Sequence, residues 1–84
     1  MEVEYSNGKR IGNGKEYNEY GKLIFEGEYL SGKRNGKGKE YNDYDGKLIF
    51  EGEYLNGQRN GKGKEYDYDG KLKFEGEYLN GELL

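Results

Sequence analysis

LIFEGEYLSGKR at residues 23–34 returns as LIFEGEYLNGQR at 48–59 and as LKFEGEYLNGEL at 72–83. Tyr5, Tyr29, Tyr54 and Tyr78 mark equivalent positions, spaced 24, 25 and 24 residues apart. Self-similarity at a fixed period is the signature of a repeat architecture. We read the 84 residues as one repeat domain: a partial unit at 1–8, units at 9–32, 33–57 and 58–81, and the start of a further strand at 82–84. A residue that recurs in every unit is explained first by building the unit and only then by chemistry.

Turn signals punctuate the repeat. Asn7-Gly8, Ser31-Gly32, Asn56-Gly57 and Asn80-Gly81 alternate with Tyr20-Gly21, Asp45-Gly46 and Asp69-Gly70. Such pairs favour two-residue hairpin turns, whose central residues need positive φ. The chain thus reads as an all-β antiparallel meander, with strands near 2–6, 9–19, 22–30, 33–43, 47–55, 58–68 and 71–79 and a stub after Gly81. Sixteen glycines and a period of two argue against helix.

Register follows by counting outward from each turn. Tyr20-Gly21 pairs Phe25 with Glu16 and Gly27 with Gly14, and Asp69-Gly70 pairs Phe74 with Glu65 and Gly76 with Gly63. Ser31-Gly32 pairs Gly27 with Gly36 and Phe25 with Gly38. The middle unit holds one extra residue, and a wider loop or bulge at 43–46, expected there alone, keeps its strand from flipping to the wrong face. One face then carries Leu23, Phe25, Tyr29, Leu48, Phe50, Tyr54, Leu72, Phe74 and Tyr78 over a track of glycines. Large rings lying over glycine recover burial that glycine lacks. The other face carries Glu26, Glu28, Lys37 and Lys39 with Ile24, Leu30 and Tyr41, and pairs Glu26 with Lys37 and Glu51 with Lys62. Nothing remains to build a second layer. The expected fold is a single-layered, elongated, twisted strip of tandem β-hairpins with an aromatic and glycine groove, roughly 35 Å long at ~4.8 Å per strand.

Composition narrows the chemistry. Hydrophobic residues make up only 31%, so folding rests on ten tyrosines and three phenylalanines. The net charge of −3 supplies no basic field for nucleic acid. There is no His or Cys, so the usual general base, thiol nucleophile and best metal ligands are missing. We expect no enzyme activity, no cofactor and no metal. No signal peptide or membrane span is visible, which makes a soluble, cytoplasmic protein the default.

The string from Phe25-Glu26-Gly27-Glu28-Tyr29-Leu30 through Ser31-Gly32-Lys33-Arg34-Asn35-Gly36-Lys37-Gly38, closed by Asp45-Gly46, resembles the MORN (membrane occupation and recognition nexus) repeat. Gly-Lys-Glu-Tyr followed by an acidic turn and Gly-Lys-Leu is similar to the bacterial variant of that repeat. The units are slightly longer than the family's and lack its Trp. The resemblance implies an antiparallel strip of hairpins, a scaffold or dimerisation role and, more weakly, phospholipid binding. It implies no catalytic residue.

Most candidate sites have a plain structural role beside the chemical one. Glu26 and Glu28 stand ~7 Å apart on one strand face, but a facing lysine lowers a carboxyl pKa where a general acid needs it raised. Asp43-Tyr44-Asp45-Gly46 and Asp67-Tyr68-Asp69-Gly70 resemble the start of a calcium loop, yet turn chemistry accounts for them. A stripe of Lys33, Arg34, Lys37 and Lys39 suits anionic headgroups but is offset by Glu26, Glu28 and Glu51. The best candidate surface is the aromatic face: Phe25, Tyr29, Phe50, Tyr54, Phe74 and Tyr78. Tyrosine is enriched at interfaces, and a contiguous apolar strip marks a binding site. The leading expectation is a non-catalytic scaffold that binds a protein partner, or another copy of itself edge to edge. Weak binding to anionic lipid is one alternative. The other is an excerpted or engineered array with no activity of its own.

Overall fold

The computed structural model describes residues 2–6 and 9–84, with side chains from residue 12 onward. Eight strands follow one another through one antiparallel sheet: β1 (Glu2–Ser6), β2 (Lys9–Tyr17), β3 (Leu23–Leu30), β4 (Lys33–Tyr41), β5 (Leu48–Leu55), β6 (Gln58–Tyr66), β7 (Leu72–Leu79) and β8 (Glu82–Leu83). The described residues contain no helix. The chain spans 40 × 30 × 14 Å, and the thin dimension leaves no room for a second packed sheet, which would add ~10 Å. The expected single-layered β-meander is what forms. The Asn7-Gly8 turn lies outside the described residues.

The tight turns have the required backbone. Ser31 and Gly32 take φ of 52° and 81°, Asn56 and Gly57 51° and 88°, and Asn80 and Gly81 50° and 89°. Positive φ at both central residues is the type I′ condition, matched to the right-handed twist of the strands.

Beyond these turns the register departs from simple counting, and Gly36 shows why. Leu30 pairs with Lys33 and Tyr29 with Arg34, but Gly27 then pairs with Gly38 rather than Gly36. Residue Glu28 of β3 therefore lies opposite residues 35–37 of β4, a bulge of two extra residues, and the same bulge recurs between β5 and β6. Gly36 and Gly61 hold it with φ of 104° and 103°, a conformation that L side chains rarely adopt. The Glu28 carboxylate closes the gap, accepting the Lys37 N–H at 3.4 Å, and Glu53 accepts that of Lys62 at 2.8 Å. The bulge also reaches the neighbouring turn. Gly57 N–H donates to Arg34 O at 2.8 Å and Asn56 N–H to Asn35 Oδ1 at 3.3 Å. The recurrent Arg-Asn-Gly thus locks one hairpin to the next.

The opposite loops are also wider than two residues. Asn18 pairs with Lys22, and Asp67 with Lys71, around three residues, while Asn42 pairs with Lys47 around four. The middle loop is the longest, as expected for 43–46, but the irregularity is not confined to it. Each loop is followed by a one-residue bulge at Ile24, Ile49 or Lys73. The extra loop residue and the bulge cancel, so Glu16 still meets Phe25 and Glu65 meets Phe74. Between them, however, parity is inverted. Leu23, Leu48 and Leu72 pair with Tyr17, Tyr41 and Tyr66 and so lie on the Glu/Lys face, not with the rings. Ile49 packs against the aromatic core instead.

Candidate functional site

The aromatic face is built from glycine outward. Gly38 and Gly63 present bare backbone, and a Cβ on Gly38 would come within 2.5 Å of the Phe25 ring, one on Gly63 within 2.7 Å of Phe50. The rings lie directly on the sheet and join edge to face. Phe25 meets Tyr29 at 5.8 Å and Tyr54 at 5.2 Å, Phe50 meets Tyr54 at 5.8 Å and Tyr78 at 5.2 Å, and Phe74 meets Tyr78 at 6.1 Å between centroids. Perpendicular rings set positive edges against negative faces, each contact adding ~0.5–1.5 kcal/mol beyond its burial.

Arginine takes the place of a second layer. The Arg34 guanidinium carbon lies 4.0 Å above the centre of the Phe25 ring, and that of Arg59 lies 3.9 Å above Phe50. Each fork is fixed by a carboxylate two strands away. Arg34 donates from Nε and Nη2 to Glu16 at 2.8 and 3.0 Å, and Arg59 to Glu40 at 2.9 and 3.1 Å. The hydroxyls of Tyr29 and Tyr54 donate to the same two carboxylates, and Tyr78 donates to Glu65. With glycine below, tyrosine beside and guanidinium above, Phe25 and Phe50 are 0% exposed. Phe74 is only partly buried: among the described residues its ring meets Tyr78, and Leu83 stands where Arg34 and Arg59 stand in their units.

Burial pushes the Glu16 and Glu40 carboxyls up, but bonds from Arg34 and Tyr29, and from Arg59 and Tyr54, outweigh it and hold both below the usual carboxylate value. A carboxylate so held is a poor general acid. Burial followed by the bond to Glu65 raises the Tyr78 hydroxyl to about 12. Burial and the bond to Glu26 likewise raise Tyr41 to about 12.

All six ring residues expected to bind a partner share this face, and there they form or pack against the core. On top of Phe25 and Phe50 a partner would meet arginine and glutamate. Sequence reading missed Arg34, Arg59, Glu16 and Glu40 as members of the cluster. The signal was present: Arg34 and Arg59 recur opposite a tyrosine, and Glu16, Glu40 and Glu65 recur opposite a phenylalanine.

The other face is a belt of alternating charge. Lys15, Glu26, Lys39, Glu51, Lys64 and Glu75 pair in sequence across β2 to β7. Glu26 therefore faces Lys39 rather than Lys37, and Glu51 faces Lys64 rather than Lys62; the β4 and β6 bulges account for both shifts. The basic stripe loses Arg34 to the aromatic face, Lys33 pairs with Leu30, and Lys37 and Lys39 face Glu53 and Glu51. The acidic loops serve as turns: Asp45 Oδ1 accepts the Lys47 N–H at 2.9 Å, and Asp67 Oδ1 accepts those of Asp69 and Lys71 at 2.9 and 3.0 Å. Among the described residues no helix is long and apolar enough to cross a membrane.

Tandem hairpins sharing one sheet and one continuous ring ladder define a single-layered β-repeat protein. The family model for the MORN repeat matches residues 25–46 and 50–71, together just over half of the chain. The chain belongs to the MORN repeat family. Each matched stretch begins at a buried phenylalanine and contains its tyrosine, its arginine and the glycine bulge. No curated protein and no solved structure matches the chain significantly.

Proposed function

We propose that the chain is a non-catalytic repeat scaffold that mediates protein–protein contact, self-association foremost, through the open edges of its sheet. The observation that carries this reading is the strand order: among the described residues β1 and β8 each pair on one side only. An unpaired strand edge is a template for adding another strand through backbone hydrogen bonds. The burial of Phe25 and Phe50 supports edges over the aromatic groove as the principal contact. The fixed carboxylates of Glu16 and Glu40 support a role without catalysis. Lipid headgroups fit less well, because Arg34 and Arg59 are already paired and Lys37 and Lys39 face glutamates.

Sedimentation velocity over a concentration series tests the reading. The expected result is a sedimentation coefficient that rises with concentration. A monomer persisting into the high micromolar range contradicts it.

A further inference from the structure

We propose that the loop tyrosines Tyr20, Tyr44 and Tyr68 form a docking ladder for a basic, proline-rich peptide in the polyproline II conformation. These rings are 79%, 85% and 81% exposed, and the fold makes no use of them. Their loops are shaped by Asn18, Asn42 and Asp67 and by a glycine, through bonds to backbone groups. The loops are nonetheless held in a row. Lys22 Nζ donates to Tyr44 O at 2.8 Å, Asn18 Nδ2 to Asp43 O at 3.1 Å, and Lys47 Nζ to Tyr68 O at 3.1 Å. Three large rings on latched loops make an ordered surface.

The spacing selects the occupant. Successive loops are separated by two strands, which places them ~9.6 Å apart. A polyproline II helix repeats every three residues at ~3.1 Å each, or ~9.3 Å per turn. An extended strand repeats its side chains at ~6.6 Å and an α-helix turns every ~5.4 Å, so both fall out of phase with the ladder. Beside Tyr68 lies an open groove lined by Lys47, Leu48, Tyr66, Tyr68, Asp69 and Gly70, in which Leu48 and the two tyrosines offer apolar walls to a proline ring. Aromatic-lined grooves of this kind receive proline-rich segments in a helix already formed before binding.

Charge sets the sign of the peptide. The side chains of Glu19, Asp43 and Asp69 make no hydrogen bond or ion pair among the described residues, whereas the ammonium groups of Lys22 and Lys47 are engaged by loop carbonyls. The loops carry Glu19, Asp43, Asp45, Asp67 and Asp69 against Lys22, Lys47 and Lys71, so the rim is net anionic and favours arginine or lysine between the prolines. This site lies at the loop ends of the strands and stands or falls separately from edge pairing.

Isothermal titration of the whole chain with the peptide (Pro-Pro-Arg)4 at low salt is the test, with (Gly-Ser-Arg)4 as the equal-charge control. We expect saturable binding of the proline peptide and weaker binding of the control. In the double variant Tyr44→Ala/Tyr68→Ala, whose rings lie outside the core, the urea midpoint should be unchanged and affinity should fall roughly tenfold or more. No binding of the proline peptide would overturn the proposal. Equal binding of the control would show charge alone and overturn it too, as would full affinity in the double variant.

Discussion

Arg34 stacks its guanidinium 4.0 Å above the ring of Phe25 while its fork grips Glu16 on β2. One side chain thus covers the core of its unit and ties it to the preceding strand pair. A sheet with no second layer has few other ways to keep a phenylalanine dry. Arg59, Phe50 and Glu40 repeat the arrangement.

Arg59→Lys should therefore fail to substitute for arginine. Lysine keeps the charge but has neither a plane to stack nor a fork to grip. Urea unfolding should show a loss of about 1–3 kcal/mol, with Arg59→Met at least as costly because Glu40 loses its cation and keeps only the Tyr54 hydroxyl. Equal stability of wild type and the lysine variant would remove the stacking role.

Leu83→Arg supplies the missing guanidinium in the last unit. It should lie over Phe74, pair with Glu65 and stabilise the chain by roughly 0.5–2 kcal/mol. The readout is the urea midpoint, together with increased hydrogen-exchange protection around Phe74. A neutral or destabilising result would mean that position 83 does not repeat the geometry of 34 and 59.

Stability should fall at both pH extremes, for opposite reasons. Glu16 and Glu40 have folded pKa values below the unfolded value near 4.5, so their contribution is full above that value and is lost as pH drops through the lower, folded one. Tyr41 and Tyr78 are raised from 10.0 to about 12, so their contribution is full below 10 and is lost as pH climbs toward about 12. Circular dichroism melts across the range should trace both flanks. Arg34→Met/Arg59→Met should shrink the acid flank, and an unchanged flank would contradict the assignment.

The two kinds of irregularity should respond differently to deletion. Removing Asp43 shortens the 43–46 loop to the three-residue length of its counterparts and should change stability by only about 0.5 kcal/mol. Removing Lys37 leaves one extra residue in the β4 bulge instead of two, which inverts the side of one flank. That variant should lose its cooperative unfolding transition. Comparable stability of the two deletions would refute the register.

The arrangement of faces was legible in the sequence because its errors came in even steps. Counting from Ser31-Gly32 placed Gly27 against Gly36, whereas it meets Gly38, but a shift of two leaves every side chain on its side. The error was invisible because glycines stand at both positions. Where the step was odd, at Ile24, Ile49 and Lys73, side assignments failed, and the leucines beside them changed face. The arginine cluster was missed for a different reason. Counting from the turn sets Arg34 opposite Tyr29, but it sits beside Lys33 in a polar stretch, and nothing local shows that its guanidinium lies back over Phe25. Burial of Phe25 needs Gly38, Tyr54, Arg34 and Glu16 from three other strands, a relation that only the register reveals.

The central claim, that each ring is seated on bare backbone, is tested most directly by the unfolding free energy of Gly38→Ala. At an ordinary strand glycine this change stabilises by roughly 0.4–1 kcal/mol, because it restricts the unfolded chain. Here the new Cβ would meet Phe25 at 2.5 Å and Tyr54 at 3.0 Å. We predict a loss of more than about 1 kcal/mol in urea unfolding, as expected for overpacking. A gain in stability would contradict the account.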